Sequence, residues 1–301
     1  MALLRGDIER LLGTDMRLVG DEASGPIVEV DRLGHRGRIS LFGGQMLEWQ
    51  PAGHDPVLWL SDRAMFDQCV PIRGGIPVCW PWFGGHQTQD DWPSHGFART
   101  NTWTFEHVDE GVPLARFALE LPGLTDQSQY WPHASRPRIV YGIGETLSIA
   151  FEVTNIDPHP IEFTEALHTY FSVGDIENIS ISGLEASPYI DKLTGDECPA
   201  TGASIAINAE TDRIYQNLTG PIELHDEVLR RSITIEHSGA SNVIVWNPWV
   251  EKSARLDDMG SAVAYRGMVC IETGNVSPAK IRLQPGERHR LVTGISVHKE
   301  A

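Results

Sequence analysis

Alternating apolar and polar residues dominate the chain and predict a protein built almost entirely from β-strands. The clearest run is 146–156, where Leu147, Ile149, Phe151 and Val153 share one strand face and mostly polar residues occupy the other. Shorter runs recur between Gly, Pro and Asp residues, at 27–30, 39–41, 46–49, 57–60, 102–107, 114–121, 162–173, 176–182, 204–208, 222–225, 232–237, 242–246, 268–273, 280–283 and 290–297. Many short strands with little helix predict an all-β fold, an antiparallel sandwich or barrel.

Helical periodicity is confined to two short segments. Leucine and isoleucine recur at helical spacing within residues 2–13, which are therefore predicted to form an amphipathic helix, and residues 251–258 are long enough for a helical turn. No linker, repeat or low-complexity stretch divides the remainder. We expect an N-terminal extension, residues 1–19, followed by one large β-sandwich domain, residues 20–301.

Charge and cysteine content narrow the class of protein. The chain has 41 acidic and 24 basic residues, a formal net charge of −17, which argues against binding to nucleic acid or to an anionic membrane surface. No apolar run approaches the ~18 residues of a membrane helix. Four cysteines without a C-x-x-C pair, and an N-terminus without a signal-peptide pattern, predict free thiols and a cytoplasmic protein.

Residues 71–101 form the most unusual segment. Glycine and proline interrupt it so often that a long regular element is not expected, and a loop of this length is usually functional. Its tryptophans and its two arginines, Arg73 and Arg99, suit a small anionic ligand, because guanidinium groups bind phosphate and carboxylate through bidentate hydrogen bonds. The alternative is a Trp-rich loop that packs over a sheet end with both arginines in solvent.

Two strands each carry one ionisable residue among apolar neighbours. In the first, His168 shares a face with Ala166 and Tyr170, and the opposite face, with Leu167 and Phe171, is core. The alternative for His168 is a surface histidine or a core histidine with its hydrogen bonds satisfied.

In the second strand, Glu272 shares a face with Cys270, opposite Val269 and Ile271. Burial raises the pKa of such a carboxyl toward the range useful for proton transfer. The alternative is an outward-facing residue on an edge strand.

Three further groups have competing interpretations. Asp212 suits hydrogen bonding to sugar hydroxyls, or it is a turn residue paired with Arg213. The segment from Trp246 to Trp249 is either an aromatic ligand surface or core. Glu165 and Glu272 are candidates for the two carboxylates of a glycosidase, but Glu165 belongs to the core face of its strand, which disfavours that pairing.

Standard sites for other chemistries are absent from the sequence. There is no P-loop, no dinucleotide-binding G-x-G-x-x-G in a βαβ context, no H-E-x-x-H and no G-x-S-x-G. Nucleotide, dinucleotide, zincin and hydrolase-elbow functions are therefore disfavoured.

Six segments in order resemble one family. They are PIRGGIPVCWPWFG (71–84), HGFAR (95–99), EALHTYF (165–171), TDRIY (211–215), WNPW (246–249) and CIET (270–273). Together they resemble the glucose-6-phosphate 1-epimerases, hexose-6-phosphate mutarotases within the galactose mutarotase-like β-sandwiches, from about residue 25 to residue 297. The resemblance implies that fold, a large sandwich with few short helices.

The resemblance also implies roles for particular residues. His168 and Glu272 match the catalytic residues. Arg73, Arg99 and Asp212 match ligand-binding positions, and His95 matches a histidine that lines the pocket. The implied reaction is ring opening and closure by acid and base, with Glu272 as base and His168 as acid on two sides of one pyranose, and it uses no metal or organic cofactor.

One position departs from the family pattern. Ser94 stands where family members often have glutamine, and the serine side chain is shorter than the glutamine that contributes to the ligand site. The implied partner is a hexose 6-phosphate, bound by a protein that we expect to be monomeric. Alternatives are a free-sugar aldose 1-epimerase and a non-catalytic sugar-phosphate-binding module.

Overall fold

The computed structural model describes residues 5–109, 115–122 and 130–300, in which antiparallel strands predominate. Helix α1 (Arg5–Leu11) falls within the predicted segment 2–13, whose first residues lie outside the described part. Helix α2 (Trp249–Ser253) begins two residues before the predicted helical turn at 251–258. Neither helix in the described ranges has the length and apolar character needed to cross a membrane.

The strands are short and follow one another through most of the described chain. In chain order they are β1 (Met16–Val19), β2 (Ile27–Arg32), β3 (His35–Ser40), β4 (Gln45–Gln50), β5 (Val78–Cys79), β6 (Thr104–Asp109), β7 (Ala115–Glu120), β8 (Ser135–Ile143), β9 (Leu147–Asn155), β10 (Ile161–Phe163), β11 (Glu165–Leu167), β12 (Tyr170–Ser172), β13 (Ile179–Ser182), β14 (Tyr189–Asp191), β15 (Asp196–Cys198), β16 (Thr211–Gln216), β17 (Ile222–Asp226), β18 (Arg231–Ser238), β19 (Asn242–Asn247), β20 (Met268–Asn275), β21 (Ile281–Leu283) and β22 (Arg288–Lys299). The predicted all-β class is confirmed.

Two eight-stranded antiparallel sheets share the main core. One has the order β13-β17-β18-β22-β9-β8-β7-β6, and the other runs β15-β14-β16-β19-β20-β11-β5 with β12 also paired to β20. Residues from both sheets meet in one apolar cluster, as in a sandwich. The alternation in β9 is confirmed, because its four predicted core residues are fully buried in that cluster. A four-stranded sheet, β1 to β4, and the small pair β10 and β21 complete the fold.

Some predicted strand boundaries are wrong. The run 162–173 is three strands, β10, β11 and β12, and the last break falls at His168 and Thr169. Residues 57–60 and 204–208 form isolated bridges only. The expected loop 71–101 contains strand β5 and one 3₁₀ turn, Ala98–Thr100. Besides β5, five strands were not predicted: β1, β8, β14, β15 and β16.

The sheet that contains β20 has a second face, turned away from the main core. Two small apolar clusters lie on it, one around Cys79 and Ala166 and one around Tyr170, Trp246 and Cys270. We call this surface the site face, because the candidate functional residues project from it. The predicted division of faces is confirmed, since Leu167, Phe171, Val269 and Ile271 belong to the main core.

Candidate active site

His168 and Glu272 are in direct contact. The distance between His168 Nε2 and Glu272 Oε1 is 3.3 Å, and the two residues are 7% and 1% exposed. Strand β20 pairs with β11 before the break at His168 and with β12 after it, so the histidine lies opposite Glu272. The backbone N–H of His168 donates to the Pro77 carbonyl, which fixes the break. The pair is too close for a pyranose to fit between them.

Tyr170 holds the imidazole from one side. Its ring stacks on His168 with centroids 4.8 Å apart and an interplanar angle of 16°. The indole of Trp246 meets the same imidazole edge-on at 6.2 Å. Shared strand parity with His168 was the sequence signal for Tyr170, yet only the structure shows the stack. Trp249 packs on Tyr265 instead, so only Trp246 of the two tryptophans in the WNPW segment contacts His168.

Arg73 reaches the site through Tyr170. Its Nε donates to Asp258 Oδ2 at 3.0 Å, and its Nη1 donates to the Tyr170 hydroxyl at 3.0 Å. The chain then turns sharply at Gly75 (φ +62°), where a Cβ atom would lie 2.1 Å from the Met46 carbonyl oxygen. Only glycine fits there. Tyr170 and Asp258 raise the pKa of Arg73 above its usual value, so the guanidinium stays charged.

Arg99 is a partly buried cation with no ion pair to any carboxylate in the described chain. Its Nη2 donates to the Ser94 carbonyl oxygen at 2.7 Å, and its Nε is buried without a hydrogen-bond partner. Burial lowers the pKa of Arg99. The side chain of Ser94 is exposed, so that residue contributes its carbonyl to the position of the arginine. A partly buried guanidinium that lacks a counter-charge is available to bind an anion.

His95 adds a second imidazole to the site. Its backbone has φ +63°, a conformation that is uncommon for a residue other than glycine and often marks a functional position. Its ring centroid is 5.6 Å from that of His168 and 4.7 Å from that of Phe83. Nδ1 accepts the Gly84 N–H at 3.4 Å, which leaves Nε2 to carry the ring proton. Burial, followed by the charge of Arg99, lowers the pKa of His95, so this ring is neutral.

Asp212 lies on β16 and pairs with Lys192, which the sequence did not identify. The distance from Lys192 Nζ to Asp212 Oδ2 is 3.2 Å, and the ammonium is 5.5 Å from the Phe83 ring centroid. Arg213, the alternative partner considered for Asp212, instead approaches Asp191 at 3.7 Å. Cross-strand registers place Asp212 beside Trp246 and Trp246 beside Cys270, so all three belong to one row.

The glycosidase pairing of Glu165 with Glu272 is not formed. Glu165 Oε1 is 2.8 Å from His289 Nε2 and accepts a hydrogen bond from Asn275 at 3.1 Å. Its side chain leaves the sheet on the face opposite Glu272. The two carboxylates therefore do not flank a common space, which both glycosidase geometries require.

Burial favours the uncharged form of both His168 and Glu272. Desolvation, followed by the negative charge of Asp212, raises the pKa of Glu272 well above its usual 4.5. Desolvation, followed by the positive charges of Arg99 and Arg73, lowers the pKa of His168 well below its usual 6.5. Both shifts favour a protonated carboxyl group and a neutral imidazole.

The same pair belongs to a group of potential metal ligands. The donor atoms of His168, Cys270 and Glu272 all lie within 4.8 Å of one another. All three residues are buried. The site thus combines an acid–base pair, a thiol, and a rim of cations formed by Arg73, Arg99 and Lys192.

Comparison with known proteins identifies relatives along most of the chain. The sequence profile of the aldose 1-epimerase family matches residues 30–296. A protein of Escherichia coli K12, provisionally named glucose-6-phosphate 1-epimerase, is 37% identical over 252 residues, which cover 83% of each chain. A solved structure from Salmonella typhimurium, provisionally named a mutarotase, superposes with a TM-score of 0.89 at 32% identity, over 96% of this chain and 95% of that one.

A more distant structure agrees in fold alone. A galactose mutarotase-like protein from Clostridium acetobutylicum superposes with a TM-score of 0.70 at 15% identity, and covers 95% of this chain and all of that one. The predicted galactose mutarotase-like fold is therefore confirmed. Together with the family match, these relatives show that the chain belongs to the aldose 1-epimerase family.

Proposed function

We propose that this enzyme interconverts the α and β anomers of hexose 6-phosphates, with glucose 6-phosphate as the reference substrate. The observation that carries the proposal is the 3.3 Å contact between His168 Nε2 and Glu272 Oε1. Anomer exchange needs a base at O1 and an acid at the ring oxygen, and both oxygens are bonded to C1. Two groups in contact with each other are suited to serve two oxygens on one carbon.

The reaction conserves the proton of the pair. Glu272 takes the proton of the O1 hydroxyl, the C1–O5 bond breaks, C1 and O1 form a carbonyl, and His168 gives a proton to O5. Rotation about C1–C2 presents the other carbonyl face. The ring closes with both transfers reversed, so the pair returns to its first state.

Bound phosphate would supply the protonated imidazole that this scheme requires. Arg99 and Arg73 both lower the pKa of His168, whereas Arg99 alone of the two lowers that of Glu272. A phosphate against these arginines offsets their charge, which raises the pKa of His168 and favours a protonated imidazole as the acid, with Glu272 as the base.

Arg99 and Arg73 are the proposed phosphate contacts. Arg99 has no counter-charge among the described residues, and Arg73 is held in place by Asp258 and Tyr170. Charge-assisted bonds from two guanidinium groups suit a phosphate dianion. We expect Asp212 to bind sugar hydroxyls and His95 to face the ligand with its Nε2 proton. Neither proton transfer involves a metal or an organic cofactor.

A free-sugar aldose 1-epimerase is the second candidate, favoured by the family profile itself. The two substrates differ only in the phosphate, so the arginines decide between them. A pure sugar-phosphate-binding module is disfavoured, because binding alone does not require an acid and base pair on the site face. All four cysteines are free, which supports a reducing, cytoplasmic location, and we expect the enzyme to act as a monomer.

The direct test follows freshly dissolved α-glucose 6-phosphate by polarimetry or by NMR exchange spectroscopy. We expect the protein to accelerate equilibration with the β anomer far more for the phosphate than for glucose. Equal acceleration of both sugars would favour the free-sugar enzyme. No acceleration of either, together with measurable binding, would favour the binding module.

A further inference from the structure

Cys270 is a buried thiol beside the catalytic pair that the proposed reaction does not use. It lies two residues before Glu272 on the site face and is fully buried among Tyr170, Trp246 and Met268. Its sulfur, His168 Nε2 and a Glu272 carboxylate oxygen all lie within 4.8 Å of one another. A soft sulfur, an imidazole nitrogen and a carboxylate oxygen form a typical ligand set for zinc.

The spacing of the pair fits a tetrahedral ion. Zinc bonds of about 2.0–2.2 Å to nitrogen and oxygen place these two ligands about 3.4 Å apart in a tetrahedron. His168 Nε2 and Glu272 Oε1 are 3.3 Å apart, which exceeds the ~2.7–2.9 Å of a charge-assisted hydrogen bond. With a zinc–sulfur bond of about 2.3 Å, Cys270 Sγ needs to move by at most about 1.3 Å.

The second carboxylate oxygen supplies an independent sign that the site can take a ligand. Glu272 Oε2 is buried and has no hydrogen-bond partner among the described residues, although the side chain is only 1% exposed. Buried polar atoms are normally satisfied. Three protein ligands also leave a fourth position open, as in catalytic zinc sites.

We propose that this pocket binds one soft divalent ion, Zn²⁺ or Cd²⁺, through His168 Nε2, the Glu272 carboxylate and the Cys270 sulfur, and that the ion competes with the sugar. The thiol and the carboxyl group each release their proton to solvent on binding, and no group is oxidised or reduced. The thiolate selects these ions over Mg²⁺ and Ca²⁺, which prefer oxygen. Competition follows because the ion occupies the atoms that transfer the sugar's protons.

Metal binding can be measured without reference to activity. Chelator-treated, untagged protein is titrated with Cd²⁺, and the cadmium–thiolate charge-transfer absorption and the heat of binding are recorded. We expect one ion per chain, with release of protons. In Cys270→Ser the absorption disappears, and affinity falls at least about 100-fold, since even supporting residues of metal sites are worth 10–100-fold. Absence of binding, or unchanged absorption in that variant, would overturn the proposal.

Controls separate the thiol of Cys270 from the exposed thiol of Cys69. Cys69 is exposed, so Cys69→Ser should keep both the absorption and the affinity. If Cys270→Ser fails to fold by circular dichroism, Cys270→Ala is the second variant, and His168→Ala should weaken Cd²⁺ binding independently. Absorption that is lost in Cys69→Ser and retained in Cys270→Ala would assign the ion elsewhere.

A second experiment measures inhibition of the epimerase reaction by Zn²⁺, and it rests on the proposed function. Zn²⁺ should raise the apparent KM for hexose 6-phosphate without changing kcat, and EDTA should restore the rate. Noncompetitive inhibition would overturn the competition. An inactive protein that still binds Cd²⁺ through Cys270 would refute the proposed epimerase and leave the metal site standing.

Discussion

Two histidine–carboxylate pairs with buried carboxylates lie on opposite faces of the sheet that contains β11 and β20. On the core face, Glu165 of β11 contacts His289 at 2.8 Å and also accepts from Asn275 of β20. On the site face, Glu272 of β20 contacts His168 at 3.3 Å. Both carboxylates are almost completely buried, and burial raises the pKa of each.

The neighbours make the two pairs different. Hydrogen bonds from His289 and Asn275 oppose the effect of burial on Glu165, so that carboxyl group is held by direct donors. For Glu272 the nearby Asp212 adds to the effect of burial, and only the charges of Lys192 and Arg99 oppose it. Two direct donors on Glu165 Oε1 tie that carboxyl group to β20 and β22, whereas Glu272 lies among the charges of Asp212, Lys192 and Arg99 and is better suited to exchange a proton.

The largest expected effect comes from removing the carboxyl group of the site-face pair. Glu272→Gln should lower kcat about 10²–10⁴-fold for glucose 6-phosphate, the usual contribution of a positioned acid or base. The substituted amide keeps the shape of the side chain, so the melting temperature should change little. His168→Ala should cause a loss of the same order. NMR exchange rates measure both, and a wild-type rate in either variant would break the assignment.

Removal of the unmatched cation should act on binding. Arg99→Ala should raise KM for glucose 6-phosphate by roughly 10–150-fold, the equivalent of the ~1.5–3 kcal/mol of a charge-assisted hydrogen bond. With glucose as substrate the same variant should change KM by less than about threefold. Arg73→Ala serves as the parallel case, although its link to Tyr170 adds a structural cost. Equal effects on the two sugars would remove the arginines from phosphate binding.

The pH dependence of kcat and kcat/KM should report the proton that His168 and Glu272 share. The active pair carries one proton, and the lowered pKa of His168 means that a second proton is added only well below pH 6.5. The acid limb of kcat/KM should therefore lie below pH 6.5, with about a tenfold loss per unit beyond it. The acid limb of kcat should lie at higher pH, because bound phosphate offsets the charges of Arg99 and Arg73 and so favours addition of the second proton to the pair.

Substrate ionisation is the main control for that experiment. A phosphate monoester itself titrates near pH ~6, so glucose 6-sulfate, which stays ionised, should be compared. The acid limbs of kcat and kcat/KM should persist when the sulfate ester is the substrate. If kcat and kcat/KM have the same acid limb, the phosphate does not shift the proton toward the imidazole.

The smallest effect on rate is expected for the core-face pair. Glu165→Gln should change kcat by less than about threefold, while the disturbed hydrogen bonds to His289 and Asn275 should lower the free energy of unfolding by about 1–3 kcal/mol. Denaturant unfolding measures the second quantity. A kcat loss as large as that of Glu272→Gln would erase the distinction between the two faces.

Much of the site was predictable because strand alternation is a local property. The sequence placed His168 and Glu272 on non-core faces, because the apolar residues of the opposite faces predict the core. Those residues, Leu167, Phe171, Val269 and Ile271, are buried in the main core. Glu165 fell on the other face by the same rule. The family resemblance added Arg73, Arg99, His95 and Asp212, and their roles remain proposals.

Other features of the fold and site could not be predicted from the sequence, because they depend on which strands pair with each other. Residues 16–19 and 211–216 read poorly as strands alone, yet they pair with β2 and β19. Lys192 follows β14 in a polar segment without any sequence signal, and it meets Asp212 only because β14 pairs with β16. The break in the predicted strand 162–173 arises because β20 pairs with two strands in succession.

By itself the sequence determined the all-β class, the core faces of the strands and the residue types available for acid–base chemistry. Only the tertiary structure decided that the imidazole and the carboxyl group touch, that Cys270 lies beside them and that Arg99 lacks a counter-charge in the described chain. The physical reason is the distance along the chain over which each property is determined. Side-chain direction follows from the backbone of one strand, whereas contacts and electrostatic environment depend on strand register between distant segments.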